Sequence, residues 1–434
     1  MKQKQLERFI PFRKRDIFTL CESIILSSSR DNKPNSLTAN SDNQLDIQTG
    51  RLFGTFCQLL ESRIHYQYHA QLEHLKDCYH LLDPNKDTKA LFALAPEQAK
   101  QDQHAFASGF AQLLDAANYE KVTDNDLKAA LEEESLFKVR LAVNFDDFED
   151  VVFYRRGESE RTETLRYFFG LRKKQISFTH YDRVAVYFTF KDEAYFESKG
   201  MKPVTFTPGS TLVKLFQNVP KADLEMLFPN SEVKMRPIDK FIISASAAIG
   251  GTVVLVTKLG ASLILMGSFI AFWLGLKEEE VTLTQQSLIT FGIGMGVFGS
   301  FVVREWTKFK NRKIRFMKAL SDNLYFKNLD NNAGVFHTLI DSAEEEDCKE
   351  AMLAYSFLLR HGDNGASASA LDSTIEMWFK HEHHCCIDFD VADALNKLLH
   401  MSLVIKQDEV FVARALPDAV NILDEYWDSI YQSA

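Results

Sequence analysis

Cysteine is scarce in this sequence, and basic residues do not dominate it. The 434 residues include six cysteines without a regular spacing, which excludes a disulfide-stapled scaffold. Fifty lysine and arginine residues stand against 60 aspartate and glutamate residues, so the formal net charge is −10. This acidic balance argues against a general nucleic-acid binder. Disorder throughout the chain is also excluded, because apolar residues make up 46% of it.

The sequence motifs of common catalytic sites are missing as well. It contains no nucleophile elbow, phosphate loop or zinc-protease helix. Gly294, Gly296 and Gly299 match part of the dinucleotide-binding fingerprint, but they lie inside an apolar run rather than between a strand and a helix. The sequence therefore predicts no catalytic residue and no cofactor.

Charge is almost absent from two stretches near the middle of the chain. Residues 241–276 contain one charged residue, Lys258, and residues 287–303 contain none. About 20 helical residues cross the roughly 30 Å hydrocarbon core of a bilayer. Gly250 and Gly251 form a natural break. We interpret the two stretches as a transmembrane hairpin with spans at about 252–276 and 283–303.

The charges that flank this hairpin predict its orientation. Basic residues lie before the first span and again after the second, whereas the connector between the spans is acidic. The positive-inside rule then places both termini in the cytoplasm. A third crossing remains an alternative, although it would put one basic cluster on the wrong side. The first residues lack the apolar core of a signal peptide, so we expect the N-terminal 240 residues to stay on the side of synthesis.

Several residues of the hairpin are candidates for helix packing or for a pore. Small residues spaced by four allow close approach of another helix, either the first span or another subunit. Lys258 either extends to the headgroups or faces a pore or a partner carboxylate. An acidic connector would attract cations at a channel mouth. The full candidate set is Lys258, Gly292, Gly296, Ser300, Glu278, Glu279 and Glu280.

The remaining chain predicts an α+β membrane protein, with helical and antiparallel β parts around the hairpin. Helical spacing of apolar residues precedes position 137, and a period of two follows it. The predicted parts are a helical N-terminal region at 1–136 with a flexible insertion at 28–46, a small antiparallel β domain at 137–218, a membrane-proximal connector at 219–240, the transmembrane hairpin at 241–303, a basic juxtamembrane helix with a helical region at 304–369, and a helical, winged-helix-like C-terminal domain at 370–434.

The C-terminal domain carries the wrong charge for reading DNA. Residues 371–434 contain 4 basic and 12 acidic residues, and a DNA reader needs the opposite sign. We therefore expect no nucleic-acid partner and a possible protein partner at this domain. His383 and Cys386 have the spacing of zinc ligands, but a closed site needs four ligands and no second pair of standard spacing follows.

Four strings of the sequence resemble a known family. They are Phe9–Arg13, Lys214–Pro229, Thr257–Gly260 and Tyr325–Gly334. They are similar to the transmembrane protein 143-like family, whose bacterial members are grouped as domain of unknown function 3754. The resemblance implies a two-span membrane protein without an assigned activity, and it supplies no catalytic residues. The first residues are too short for an Arg- and Ser-rich organelle presequence, which departs from the mitochondrial members of the family, so we expect a multi-pass protein of the bacterial inner membrane with both termini in the cytoplasm.

Two of these strings flank the hairpin at similar distances. We expect them to pack against each other as a membrane-proximal collar formed by Pro220, Asp223, Glu225, Pro229, Asn328, Asp330, Asn331, Asn332 and Gly334.

The function predicted from the sequence is that of a membrane-anchored, non-enzymatic interaction or regulatory protein with large cytoplasmic domains. Its expected partners are the lipid bilayer and further copies of the chain. One alternative is an oligomeric ion channel, favoured by the glycine face, Lys258 and the acidic connector. Another is a metal-dependent enzyme that uses His383 and Cys386.

Overall fold

The structure is a computed structural model with a mixed α/β architecture. It describes residues 6–31, 39–86, 96–123, 140–167, 172–200, 206–234, 260–276 and 285–430, together with a few isolated positions between these ranges.

The described helices range from one and a half turns to about twelve turns. In chain order they are α1 (Lys14–Asp31), α2 (Ala39–Tyr79), α3 (Pro96–Ala116), α4 (Glu193–Ser198), α5 (Gly260–Trp273), α6 (Gln285–Lys327), α7 (Ala333–His361), α8 (Ala368–Glu382), α9 (Val391–His400) and α10 (Leu416–Ser429).

The described strands form antiparallel pairs throughout. They are β1 (Glu120–Lys121), β2 (Arg140–Ala142), β3 (Phe148–Tyr167), β4 (Arg172–Phe190), β5 (Thr211–Pro220), β6 (Glu232–Lys234), β7 (Asn328–Asn331), β8 (Val404–Gln407) and β9 (Val410–Ala413). One sheet has the order β1-β3-β4-β5-β7, and β2 pairs with β6 and β8 with β9.

The chain divides into two compact units. The first unit comprises Met1–Leu127, Asp146–Lys221 and Asn328–Ala434. The second comprises Lys128–Phe145 and Ala222–Lys327. The five-stranded sheet therefore takes strands from all three segments of the first unit, whereas the predicted β domain ended at residue 218.

Helix α7 forms the centre of the first unit. It contacts α1, α2, α3, α8 and α9 as well as the sheet, and every residue from Glu346 to Leu358 is buried. An aromatic cluster joins it to α2 and α3, with the ring centroid of Phe336 at 5.1 Å from Tyr79 and 5.8 Å from Phe110. Because residues 346–358 of α7 are buried, the polar residues among them must find partners within the protein.

The start of α7 is fixed by Asn332, directly after β7. Asn332 has a φ of +50°, a conformation that asparagine adopts more readily than most residues. Its backbone N–H donates to the carbonyl of Val213 at 2.7 Å, and its side-chain oxygen accepts from the Val213 N–H at 3.2 Å. These bonds attach the first turn of α7 to β5.

The C-terminal elements follow α7 in the order helix, helix, hairpin, helix. Ala366 pairs with Phe411, so the chain before α8 lies beside the β8–β9 hairpin. Ser367 caps α8 and Asp390 caps α9, each by accepting a backbone N–H with its side chain. Leu395 and Leu398 of α9 are buried in the core of the first unit.

The second unit contains the paired strands β2 and β6 and the helices α5 and α6. Among the residues that the structure describes, no helix combines the length and the apolar composition required to cross a bilayer. Helix α5 has 14 residues, which rise about 21 Å against a hydrocarbon core of about 30 Å. Helix α6 has 43 residues, and charged residues occur along it from Arg304 onward.

This finding corrects the sequence interpretation. The predictions of an α+β membrane protein, of a transmembrane hairpin and of a multi-pass location in the bacterial inner membrane are wrong. Parts of the predicted spans, residues 253–259 and 283–284, lie outside the described residues.

Other element boundaries also differ from those predicted. Helices α1 and α2 extend into the predicted insertion at 28–46, of which residues 32–38 lie outside the described residues. The basic juxtamembrane helix is the second half of α6, which continues without a break to Lys327. Lysine and arginine favour helix, so the change from apolar to basic composition does not interrupt the backbone.

Candidate functional site

Two pairs of charged residues lie on neighbouring faces of the buried helix α7. Glu346 and Lys349 are three residues apart, and so are Asp347 and Glu350. This spacing places each pair on one face of a helix. All four residues are buried. The first pair faces residues near the N-terminus, and the second faces α9.

Asp347 and Glu350 surround the ammonium group of Lys397, which α9 supplies. The Nζ atom of Lys397 lies 2.5 Å from Oδ1 of Asp347 and 4.0 Å from Oε2 of Glu350. Asp393, one turn before Lys397 in α9, also pairs with it. We call Asp347, Glu350, Asp393 and Lys397 the α7–α9 ion cluster.

Neutral donors complete the coordination of the two buried carboxylates. The Tyr68 hydroxyl donates to Oδ2 of Asp347 at 2.8 Å. The side-chain N–H of Asn118 donates to Oε1 of Glu350 at 3.1 Å. These donors come from α2 and from the residues directly after α3, so the cluster joins four parts of the first unit.

Burial controls the protonation of the α7–α9 ion cluster. It raises the pKa of Glu350 to about 8, and the opposing effect of Lys397 is smaller. Burial likewise raises the pKa of Asp347 to about 6, again against the effect of Lys397. Burial lowers the pKa of Lys397, but the carboxylates of Asp347, Glu350 and Asp393 outweigh it and the net pKa is raised. The cluster therefore holds a charged lysine and a protonated Glu350 at neutral pH.

The same carboxylates have the spacing of a cation site. Oxygen atoms of Asp347, Glu350 and Asp393 all lie within 4.8 Å of one another. The Lys397 ammonium already supplies the positive charge that these oxygens need. The arrangement can thus bind a proton and hold α9 against α7 without an added metal ion.

The other pair, Glu346 and Lys349, binds the segment Leu6–Arg13, which we call the strap. Lys349 Nζ donates to the carbonyls of Ile10 and Phe12 at 3.0 and 3.1 Å and pairs with Glu346 at 2.8 Å. Oε2 of Glu346 accepts the Ile10 N–H at 3.0 Å. The two buried charges therefore compensate each other and contact the strap through its backbone.

The second unit presents a different chemistry, because large apolar side chains on α5 and α6 are exposed. Trp273 is 82% exposed, Ile293 64% and Trp306 61%. Between Arg304 and Lys318 the sequence contains seven basic residues and one acidic residue. Arg304, Lys308, Lys310, Arg315 and Lys318 are exposed. We call these parts of α5 and α6 the apolar–basic surface.

The predicted hairpin residues are described only in part. Lys258, Glu278, Glu279 and Glu280 lie outside the described residues. Gly292 and Gly296 lie in α6, where an added Cβ atom would meet nothing within 4 Å among the described atoms. Ser300 donates to the carbonyl of Val297 in the same helix. The described part of the structure thus places no neighbouring helix at this face.

The predicted collar residues fall into separate elements. Asn328, Asp330 and Asn331 lie in β7 and pair with Phe216, Leu215 and Lys214 of β5. Pro220 ends β5 opposite His180. The other members are Asp223 and Glu225 in the 3₁₀ helix Lys221–Leu227, Pro229 in the following turn, Asn332 before α7, and Gly334 in its first turn. Pairing with β7 therefore involves Lys214–Phe216, which precede the predicted collar segment.

His383 and Cys386 follow α8 at the surface of the first unit. The His383 ring packs beside Phe12 and Trp378, with ring centroids 5.6 and 4.8 Å away. Cys386 is exposed. Within the part of the chain that the structure describes, three or more potential metal ligands converge only at Asp347, Glu350 and Asp393.

The α7–α9 ion cluster was missed from the sequence. Its members and their neutral donors come from positions near 68, 118, 350 and 397, so no local motif joins them. The four-residue spacing of Asp393 and Lys397 was the only local signal. The charged run Glu344–Glu350 is typical of a solvated helix face, whereas the structure buries most of it.

Comparisons with known proteins identify a region of the chain but no function. No solved structure matches the chain. Residues 181–334, from the second half of β4 through the second unit to the start of α7, match the model of a family described as "Protein of unknown function (DUF3754)". This part of the chain therefore contains a domain of unknown function.

Proposed function

We propose that this chain is a non-enzymatic interaction protein whose second unit binds an anionic lipid surface. The observation that carries the proposal is the apolar–basic surface of α5 and α6. Exposed apolar side chains on this scale mark interaction sites. The partner must match both the apolar and the basic part of the surface.

The apolar part supplies adhesion. Helix α5 contains no charged residue, and its exposed side chains include Ile264, Ile270 and Trp273. In α6, Leu288, Ile289 and Ile293 are exposed in the first two turns and a half. Burial of apolar surface contributes about 25 cal/mol per Å², so contact with acyl chains at a lipid surface would be favourable.

The basic part supplies selectivity for negative charge. Each lysine or arginine near an anionic lipid surface contributes about 1 kcal/mol. Trp306 lies near the start of the basic segment of α6, shortly after the apolar segment, and tryptophan favours the boundary between headgroups and acyl chains. A second copy of the chain fits less well, because two basic segments would repel each other. Contact from one side of a lipid surface also needs no helix that spans it.

Vesicle flotation with the full chain tests this proposal. We expect binding to vesicles that contain phosphatidylglycerol and little binding to pure phosphatidylcholine, with the difference reduced by salt. The double substitution Lys308→Glu and Lys310→Glu should weaken binding at least tenfold. A matched control is Lys380→Glu with Lys406→Glu, because both lysines are exposed in the first unit.

Three results would overturn the proposal. The first is that the chain does not bind anionic vesicles. The second is that the control variant loses as much vesicle binding as the Lys308→Glu, Lys310→Glu variant. The third is that the chain self-associates in a way that blocks vesicle binding. The last result would assign the surface to the homo-oligomer predicted from the sequence. A protein partner at the C-terminal region also remains a prediction.

We further infer that the chain is related to the transmembrane protein 143-like family. The match at residues 181–334 supports this, because it includes the strings Lys214–Pro229 and Tyr325–Gly334. Phe9–Arg13 lies outside the match. The channel and metal-enzyme alternatives gain no comparable support from the described residues.

A further inference from the structure

We propose that the first unit contains a peptide-recognition groove, which its own strap (Leu6–Arg13) occupies and for which an external peptide of the same chemistry competes. The groove is formed by α7, the connector between α8 and α9, the end of α3, and β3. It is independent of the lipid surface proposed above, because all of these elements belong to the first unit.

The strap forms no helix, for a reason visible in its sequence. Pro11 cannot donate a hydrogen bond, and it restricts the preceding Ile10 to extended conformations. Glu7 pairs with Ile387 in an isolated parallel β-bridge, and its carbonyl accepts the Asp388 N–H at 2.9 Å. The chain bends at Arg8, Phe9 and Phe12, so the strap joins the chain before α9 at one bridge, and its other residues contact the groove individually.

Most polar contacts in the groove involve the strap backbone. Lys349 reaches two carbonyls, Glu346 accepts an N–H, and Asp388 donates to a third carbonyl. Lys349 reaches the carbonyls of both Ile10 and Phe12, so these two groups lie on the side of the strap that faces α7. A peptide that adopts the backbone of the strap can present this pattern.

Side-chain contacts give the groove its selectivity. Arg8 lies between two carboxylates, with Nη2 at 3.3 Å from Asp390 and Nη1 at 3.5 Å from Asp115. The Phe9 ring lies under the guanidinium of Arg156, 4.9 Å from its central carbon. Phe12 stacks on Phe379 with ring centroids 5.8 Å apart. The preferred ligand is therefore a peptide with an arginine, an aromatic residue next to it and a second aromatic residue four positions after the arginine.

Glu346 and Lys349 show why this groove is suited to an occupant. The Lys349 side chain is 3% exposed, and so is that of Glu346. Without the strap, both groups would lose backbone partners in a largely buried setting, which is costly. A displaced strap must therefore be replaced, either by water or by another chain that offers the same carbonyls and N–H.

Binding of a labelled peptide tests the proposal. The probe is a fluorescent peptide of residues 6–13, Leu-Glu-Arg-Phe-Ile-Pro-Phe-Arg, titrated against two forms of the full chain. One is the natural chain, and the other carries Arg8→Ala and Phe12→Ala, which weaken its own strap. We expect the peptide to bind the weakened form at least tenfold more tightly. If that form unfolds, Arg8→Ala alone provides the milder comparison.

Modified peptides distinguish specific recognition in the groove from nonspecific binding of the peptide, and they leave the protein unchanged. N-methylation at the isoleucine that corresponds to Ile10 removes the N–H that Glu346 accepts, and it should weaken binding at least tenfold. Exchanging the glutamate and arginine of the peptide keeps its composition and should also weaken binding. Equal binding of the natural and N-methylated peptides would overturn the proposal. So would equal binding to both forms of the chain, or no binding to a folded weakened form.

Discussion

Helices α7 and α6 show opposite relations between polarity and burial. Helix α7 buries Glu346, Asp347, Lys349 and Glu350 in the centre of the first unit, whereas α6 exposes large apolar side chains in the second. The partners of the two helices differ. The buried charges of α7 are matched by ammonium, carboxylate, amide, hydroxyl and backbone groups of the first unit, whereas Leu288, Ile289 and Ile293 of α6 are exposed in the described part of the structure. A helix that buries charge points to an internal junction, and one that exposes apolar surface points to an external partner.

Removing the cation of the α7–α9 ion cluster gives the largest expected effect. Lys397→Met keeps the length of the side chain but leaves Asp347 and Glu350 without their positive partner. Loss of one member of a buried ion cluster typically costs about 3–5 kcal/mol. We expect the free energy of unfolding to fall by roughly that amount, measured by urea denaturation of the full chain.

The matched control is Lys380→Met in α8, where the lysine is exposed. This substitution should change stability by no more than about 0.5 kcal/mol. Equal effects of the two substitutions would show that the cluster does not hold α9 against α7, and the comparison between α7 and α6 would lose its basis.

The same leucine-to-alanine substitution should have unequal effects in the two helices. Leu339 of α7 is fully buried, and Leu288 of α6 is 56% exposed. Leu339→Ala leaves a cavity and should cost about 2–5 kcal/mol. Leu288→Ala should cost less than about 0.5 kcal/mol in the absence of lipid. Thermal unfolding of both variants measures the difference, and a large loss at Leu288 would mean that α6 is covered in the free protein.

Local patterns in the sequence located several elements correctly. Apolar residues from Ile17 to Ile25 have the spacing of one helix face, and the structure contains the helix α1 (Lys14–Asp31) there. A winged-helix-like domain, predicted for residues 370–434, includes a hairpin, and the structure contains one as β8 and β9. These elements are fixed by contacts between neighbours in the chain, which a single sequence records.

Long-range partners explain what the sequence could not provide. The strand β7 joins β5 across more than 100 residues, so the limits of the sheet were not visible. The low charge of residues 241–303 was read as a membrane hairpin, because length and composition alone do not show where a helix begins. The protonation of Glu350 depends on burial by distant elements and has no signature in the run Glu344–Glu350.

The pH dependence of the free energy of unfolding should distinguish the buried carboxylate of Glu350 from exposed carboxylates, and this is the smallest of the expected effects. The folded-state pKa of Glu350 is about 8 against an ordinary value of 4.5, because burial disfavours its charge. The contribution of Glu350 to the free energy of unfolding is complete at pH values below the ordinary pKa and is lost as the pH rises through 8. Between pH 6.5 and pH 8 this loss amounts to roughly 1.5 kcal/mol.

Glu350→Gln, which resembles the protonated side chain, should remove that part of the pH dependence. Glu409→Gln at the exposed hairpin turn should leave it unchanged, and an unaltered slope in the Glu350 variant would place the titrating proton elsewhere.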